Sequence, residues 1–136
     1  LHELERRIVL AADTAAGEPL PGHASTTVEQ LLTALERGDV RAAERDGDGR
    51  WHAVPWVKRG ILLAFRAGRM VDMTPPGSGA HGAFQFFDRH TVPPRTLRLE
   101  SQVRVVPGGS TIRRGTFLAP GVVCMPPMYV NIGAHV

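Results

Sequence analysis

The sequence predicts a small α/β head domain followed by the beginning of a parallel β-helix. Two observations support this fold class. The N-terminal half alternates apolar residues at helical spacing with a turn-linked pair of short extended pieces, and the C-terminal segment repeats an apolar residue at every sixth position. A period of six fits neither an α-helix nor an ordinary strand. It is typical of a parallel β-helix, in which each short strand turns an apolar side chain inward.

The six-residue repeat extends from residue 106 to residue 136. A second series of turn-forming residues lies three positions out of phase, which provides a tight turn at each corner. The apolar series is Val106, Ile112, Leu118, Cys124, Val130 and Val136, and the turn series is Gly109, Gly115, Gly121, Pro127 and Gly133. A triangular coil uses three hexads, so we expect a truncated solenoid of fewer than two coils.

Helical spacing predicts the first two elements of the head. A helix over Leu1 to Ala12 precedes one over Thr26 to Arg37. Thr26 and Glu29 match a Ser/Thr-x-x-Glu capping box, and Gly38 is placed for a left-handed C-terminal turn. We expect both helices to be amphipathic and to bury one face.

A hairpin and a third helix complete the predicted head. Residues 40–44 and 51–54 are extended pieces on either side of an Asp-Gly-Asp-Gly spacer, which favours a two-stranded ribbon. Pro55 fits the first turn of a helix that ends near Gly68 and packs on the preceding helix. We expect the large aromatic side chains to supply much of the core of this head, namely Trp51, Trp56, Phe84, Phe86 and Phe87.

The predicted domain boundaries follow from composition. The head covers residues 1–73, a connector covers 74–101, and the first coils cover 102–136. The connector begins with a Pro/Gly/Ser-rich stretch that reads as a loop, followed by a candidate aromatic strand over Ala83 to Phe87.

Composition excludes several functional classes. Sixteen basic and 13 acidic residues give a net charge of only +3, with no basic cluster that would indicate nucleic-acid binding. The single cysteine, Cys124, excludes an internal disulfide and lies at an inward hexad position, so we expect it to be a core residue. No apolar run approaches the length of a membrane span, and no leader pattern precedes the first helix. These features favour a cytoplasmic protein.

Three segments of the chain resemble the tetrahydrodipicolinate N-succinyltransferase family. The first covers residues 40–65 and includes Trp-Val-Lys-Arg-Gly-Ile-Leu-Leu-Ala-Phe-Arg, and the second is Phe-Phe-Asp at 86–88. The third is the most specific and contains Val-Arg-Val-Val-Pro at 103–107, Ile-Arg-Arg-Gly at 112–115, Met-Pro at 125–126 and Tyr-Val-Asn-Ile-Gly-Ala at 129–134. The resemblance covers most of residues 28–136.

This resemblance implies a left-handed β-helix and a homotrimer with active sites between neighbouring solenoids. It also implies transfer of succinyl from succinyl-CoA, as co-substrate, to the amine of ring-opened tetrahydrodipicolinate in lysine and diaminopimelate biosynthesis, with no tightly bound cofactor. The general-base aspartate of the family lies in the coil after the Asn-Ile-Gly-Ala string. We therefore assign no catalytic residue here, and we expect the chain alone to be inactive.

Arg113 is the substrate-binding residue that the resemblance implies, because it follows the apolar hexad residue where the family has such an arginine. The chemistry is suitable, since a planar and permanently charged guanidinium can bind a carboxylate through two parallel hydrogen bonds. The neighbouring Arg114 should point to the opposite face of the strand, and we expect it to face solvent or another subunit.

Other polar residues favour structural interpretations. Tyr129 and Asn131 flank an inward valine, and asparagine at a solenoid corner commonly stacks into a side-chain ladder or adopts left-handed dihedral angles. The six histidines show no ligand spacing, so we predict no metal site, and we interpret His135 as a surface variation. Two other functions remain open: a different hexapeptide-repeat acyltransferase, or a non-catalytic trimerisation or interaction module.

Overall fold

The computed structural model describes residues 1–76 and 85–136. Three helices form the N-terminal region: α1 (His2–Ala12), α2 (Ala24–Arg37) and α3 (Pro55–Ala67). Between α2 and α3 the chain forms the antiparallel hairpin of β1 (Ala43–Arg45) and β2 (Trp51–Ala53). All three predicted helices and the hairpin are therefore present. Among the described residues, no helix has the length and apolar character needed to cross a membrane.

The three helices pack around one hydrophobic core. Ile8 of α1, Leu31 of α2 and Leu63 of α3 are almost completely buried in it. Gly60 of α3 allows the helices to approach closely, because a Cβ at this position would lie 2.4 Å from Leu31 Cδ2. The predicted packing of the third helix on the second is confirmed.

The capping box predicted at the start of α2 is wrong. The helix begins at Ala24 and its N-cap residue is His23, which makes no side-chain capping hydrogen bond. Thr26 and Glu29 consequently lie inside the helix, where neither can cap its end. Ala24 is buried in the core, so tertiary packing extends the helix past the residue that local sequence favours. The predicted C-terminal turn is confirmed, because Gly38 has a φ of 77°.

The hairpin has no covered face. All residues of β1 and β2 are exposed, since no other strand or helix of the described residues packs behind this two-stranded ribbon. Trp51 is 62% exposed and lies with its ring centroid 5.6 Å from the guanidinium carbon of Arg45. The prediction that Trp51 contributes to the core is wrong, whereas Trp56 does pack against the core from α3.

A second antiparallel ribbon follows the head. It consists of β3 (Met70–Asp72) and β4 (Phe87–Arg89). The aromatic strand expected over residues 83–87 begins only at its last residue, and Ala83 and Phe84 lie outside the described residues. Phe86 and Phe87 are also exposed, contrary to the prediction of core positions, because no layer formed by residues 1–76 or 85–136 covers them.

The C-terminal segment forms four short strands with parallel pairing. They are β5 (Arg104–Val105), β6 (Thr111–Ile112), β7 (Val123–Cys124) and β8 (Tyr129–Val130). Strand β5 pairs with β7 and β6 with β8, and a parallel bridge joins positions 117 and 135. The paired residues are 19 positions apart in the first ladder and 18 apart in the second ladder and in the bridge. Within the described part of the chain these strands do not form a closed solenoid.

Apolar hexad residues form a second, smaller core beneath these strands. Ile112, Leu118 and Cys124 are buried in it, and Val130 packs against it. Cys124 is thus a buried free thiol, as the sequence predicts. Val136, the last apolar residue of the series, is exposed.

The segment docks on the helices through Ile132, which is buried in the core of the head. Gly115 makes this contact close: a Cβ there would lie 2.8 Å from Leu32 Cδ2 and 2.9 Å from Ile132 Cγ1. Gly115 also has a φ of 75°, which non-glycine residues rarely adopt. Glycine is therefore required here both for the turn and for the packing.

Candidate functional site

Strand β6 and its neighbours hold the backbone of Arg113. Its N–H donates to the carbonyl of Val130 at 3.0 Å, which continues the parallel ladder with β8. Its carbonyl oxygen accepts a hydrogen bond from the buried hydroxyl of Thr116 at 2.9 Å. On the other side, an antiparallel bridge joins Arg113 to Pro94. The residue is therefore held on both sides by extended backbone.

The side chain of Arg113 is held equally closely. Only 15% of it is exposed, and its Nη2 donates to the Oδ2 atom of Asp88 in β4. The guanidinium carbon lies 5.2 Å from the ring centroid of Phe65 in α3 and 5.7 Å from that of Tyr129 in β8. Rings at these distances attract a cation through their π electrons. Three elements thus orient one guanidinium.

This guanidinium lines a cavity of about 480 Å³ between the second ribbon and the strand segment. Apolar groups dominate its wall, and Asp88 and Arg113 are the charged residues among the described lining. The lining consists of Met73, Pro75, Gln85, Phe86, Phe87, Asp88, Val92, Pro94, Thr111, Arg113 and Tyr129. A mostly apolar concave site with a few convergent polar groups is typical of a small-molecule site.

Arg114 does not face solvent. Its Nε donates to Glu36 Oε1 at 3.0 Å and its Nη1 donates to Glu29 Oε2 at 2.5 Å, both on α2. The backbone N–H of Gly115 donates to the same Glu36 oxygen at 2.9 Å. Burial disfavours the charge of Arg114, but the hydrogen bonds to Glu36 and Glu29 outweigh it and raise the pKa of the guanidinium. The prediction of a solvent-facing side chain is wrong because α2 supplies two carboxylates where the sequence showed no neighbour.

The remaining predicted residues lie around this centre. Tyr129 borders the cavity, and its hydroxyl donates to Asn131 Oδ1 at 3.3 Å. The same Asn131 oxygen accepts from the N–H of Ile132 at 2.9 Å, which stabilises the turn after β8. His135 stacks on Phe117 with 4.1 Å between ring centroids. Partial burial and the nearby charge of Arg41 lower the pKa of His135 below its usual 6.5.

Sequence patterns did not predict the roles of two residues in this arrangement, Asp88 and Glu36. Asp88 occurs in the Phe-Phe-Asp motif of the resemblance, but nothing local in the sequence pairs it with an arginine 25 positions later. Glu36 has the spacing of an ordinary exposed helix residue. In residues 1–76 and 85–136, no three His, Cys, Asp or Glu side chains lie close enough to hold a metal ion.

Comparison with known proteins shows which family this chain resembles. A family model described as tetrahydrodipicolinate N-succinyltransferase N-terminal matches residues 7–67, from the middle of α1 to the end of α3. The chain is 38% identical over 121 residues to the 2,3,4,5-tetrahydropyridine-2,6-dicarboxylate N-succinyltransferase of Methylobacterium sp. (strain 4-46), a match over 85% of this chain and 40% of the relative. The chain is therefore similar to the N-terminal part of proteins of this family.

Two further relatives with the same name extend the match into the strand segment. The chain is 35% identical over 144 aligned positions to the protein of Bradyrhizobium diazoefficiens, which covers 100% of this chain and 48% of the relative. It is 39% identical over 121 residues to that of Psychrobacter sp. (strain PRwf-1), a match over 85% of the chain and 41% of the relative. The chain therefore spans less than half the length of the curated relatives it matches.

Proposed function

We propose that this chain is part of a CoA-dependent N-succinyltransferase and supplies its acceptor-binding arginine, Arg113. The acceptor is tetrahydrodipicolinate in its ring-opened form, L-2-amino-6-oxopimelate, and succinyl-CoA is the donor. The reaction is a step toward diaminopimelate and lysine in the cytoplasm and needs no tightly bound cofactor. The names of the relatives support the reaction class, and the placement of Arg113 in an apolar cavity supports its role.

The chemistry of the cavity is suited to such an acceptor. A dicarboxylate needs at least one fixed positive group, and a guanidinium that is already oriented loses little freedom when a carboxylate binds. Asp88 engages one Nη atom of Arg113, and within residues 1–76 and 85–136 no other side-chain hydrogen bond of this guanidinium is seen, which supports its availability as a donor for a ligand. The placement of the Arg113 guanidinium in the cavity is the observation on which this proposal depends.

The strand segment is, in this proposal, the first part of a left-handed β-helix over residues 102–136. Residues 1–73 form the head and residues 74–101 the connector. The spacing of 18 positions between paired residues corresponds to three hexads per coil, which supports the proposal. Exposed apolar side chains on β5 and β7, Val105 and Val123, would be covered in a homotrimer. No residue of this chain is assigned as general base.

Calorimetric titration of the chain with L-2-aminopimelate, a stable analogue of the acceptor, tests this role. We expect the Arg113→Ala variant to bind the analogue about 10-fold or more weakly, because it loses charge-assisted hydrogen bonds to the carboxylate. Arg6→Ala is the matched control, since Arg6 is an exposed arginine on α1, outside the segments that resemble the family. It should leave the affinity for the analogue unchanged.

Two results would contradict the proposal. One is equal loss of affinity in the Arg113→Ala and Arg6→Ala variants, which would indicate nonspecific attraction to positive charge. The other is robust turnover of succinyl-CoA by the chain alone, because the proposal assigns no general base to it. Circular dichroism of each variant verifies that the fold is retained.

A further inference from the structure

A second cavity adjoins the first at the edge of the smaller hydrophobic core. Its volume is about 490 Å³, and its wall includes Ile112 of that core and Leu97, which packs against it. Among the described residues that line this second cavity, Arg95 is the charged one. The two cavities share part of their wall, but each has its own arginine, Arg113 in the first and Arg95 in the second.

The charge of Arg95 has no carboxylate partner within residues 1–76 and 85–136, since none of their ion pairs includes it. Its Nη1 donates to the backbone carbonyl of the buried Thr116, and its N–H donates to the carbonyl of Ile112 at 2.7 Å. These contacts fix the arginine against the strand segment, but a carbonyl oxygen carries no net charge. A partly buried cation without a counter-charge favours an anionic ligand.

The hydroxyl of Ser110 is a second group without a partner on the same wall. Its Oγ is shielded from solvent and makes no hydrogen bond in the described part of the chain. Buried polar groups of native proteins nearly always have a hydrogen-bond partner. Because a serine hydroxyl can turn between three staggered positions, it can donate to a ligand that enters the cavity.

An arginine and a hydroxyl beside an apolar wall match a carboxylate that is joined to a hydrocarbon chain. We propose that the second cavity binds a small aliphatic monocarboxylate, with the carboxylate on Arg95 and Ser110 and the hydrocarbon chain against Leu97 and Ile112. A guanidinium has five N–H donors, so Arg95 can bind the carboxylate while it keeps its bond to Thr116. One negative charge balances one arginine, and burial of the hydrocarbon chain is favourable. This site does not involve Arg113 and goes beyond the proposed function.

Hexanoate and hexanamide test this inference, because they have the same carbon chain and differ in charge. An NMR titration that follows the amide signals of Gly109, Ser110 and Thr111 measures both affinities. We expect hexanoate to bind about 10-fold more tightly, since only the carboxylate forms charge-assisted hydrogen bonds to Arg95.

The Arg95→Gln variant should bind hexanoate about 10-fold more weakly and keep its affinity for hexanamide within about twofold, because the charge is lost and the apolar wall remains. Arg98→Gln is the matched control, since Arg98 is an exposed arginine of the same segment that does not line the cavity. It should leave both affinities unchanged.

The Ser110→Ala variant provides a measurement that does not depend on Arg95. Without ligand, its melting temperature should be unchanged or higher, because it removes a buried hydroxyl that has no partner. It should nevertheless bind hexanoate about threefold more weakly, since one donor to the carboxylate is lost. A serine with a purely structural role would show the opposite pattern, a lower melting temperature and unchanged affinity.

The Arg113→Ala variant distinguishes the two cavities and should keep its affinity for hexanoate within about twofold. If it loses hexanoate while Arg95→Gln retains it, the carboxylate occupies the first cavity, and this inference is wrong while the proposed function stands. Equal affinity of the unaltered chain for hexanoate and hexanamide, or no binding of hexanoate at millimolar concentration, also overturns the inference. If circular dichroism shows that Arg95→Gln does not fold, Ser110→Ala decides, and unchanged affinity for hexanoate in that variant overturns it.

Discussion

The helical head and the strand segment differ in what holds them together. In the head, α1, α2 and α3 bury large side chains such as Ile8, Leu31 and Leu63 against one another. In the strand segment, the described buried cluster consists of Ile112, Leu118 and Cys124, and strands of two residues supply the backbone pairing. The head is stabilised mainly by side-chain burial, whereas the strand segment depends in addition on its contact with the head.

The contact between the two regions explains how so small a strand segment keeps its shape. Ile132 belongs to the core of the head although it follows the last strand in the chain. Glu36 of α2 accepts hydrogen bonds from both Arg114 and Gly115. The position of a regular sequence repeat can therefore depend on contacts with residues outside the repeat.

The largest effect we predict follows from removing core side chains in each region. Leu31→Ala should lower the free energy of unfolding by about 3 to 5 kcal/mol, because it leaves a cavity at the centre of the helical core. Ile112→Ala should cost only about 2 kcal/mol, since the smaller cluster around it can collapse more easily. Urea denaturation followed by circular dichroism measures both values.

Leu62→Ala serves as the control for these substitutions, because Leu62 lies on α3 with most of its side chain in solvent. This substitution should lower the free energy of unfolding by no more than about 0.5 kcal/mol. Equal losses of unfolding free energy for Leu31→Ala and Ile112→Ala would contradict the difference proposed between the two regions.

A smaller loss of stability should distinguish two reasons for glycine in the strand segment, a turn with positive φ and close packing against the head. Gly115 and Gly121 both have positive φ, at 75° and 90°, but only Gly115 lies against other side chains. Gly121→Ala should cost about 1 kcal/mol for its backbone conformation alone. Gly115→Ala should cost about 1 to 3 kcal/mol more, because its Cβ would overlap Leu32 and Ile132.

Thermal unfolding of the two alanine variants measures this difference. If Gly121→Ala proved as costly as Gly115→Ala, the strand segment would not depend on close packing against α2. The difference in stability between the two variants isolates the packing contribution, since the backbone cost is common to both.

The smallest effect we predict is a pH dependence at the same boundary. The pKa of His135 is lowered in the folded state, first by burial and then by Arg41, so folding favours its neutral form. This contribution to stability is complete above the unfolded pKa of about 6.5 and is lost as the pH falls from there through the lower folded value. The Cε1 proton of His135, followed by NMR, should titrate below pH 6.5.

The Phe117→Leu variant should shift this titration upward toward 6.5, because it removes the ring that stacks on His135. A midpoint at or above 6.5 in the unaltered chain would show that the histidine is not held against the strand segment as described.

Local patterns predicted most of the elements but few of the contacts between them. Helical spacing, Pro55, Gly38 and Gly68 predicted three helices and several of their ends, because these signals act within a few residues. The start of α2 was misplaced because burial of Ala24 outweighs a local capping preference. Exposure of Trp51 and Phe87 could not be predicted, since it depends on whether another layer covers each ribbon.

The candidate site shows the same division. The position of Arg113 followed from a motif, while its partner Asp88 comes from the second ribbon and the carboxylates that hold Arg114 come from α2. Pairings between residues 25 to 85 positions apart depend on the complete fold. No period or spacing in the sequence contains that information.

The two adjacent arginines couple the head to the cavity. One peptide bond separates Arg114, which is anchored to α2, from Arg113, which reaches into the cavity. The anchoring of Arg114 to α2 therefore helps to fix the backbone that carries the Arg113 guanidinium. A chimera that joined this strand segment to the head of a relative would have to keep an acidic residue at position 36, or the position of the guanidinium would change together with the helix.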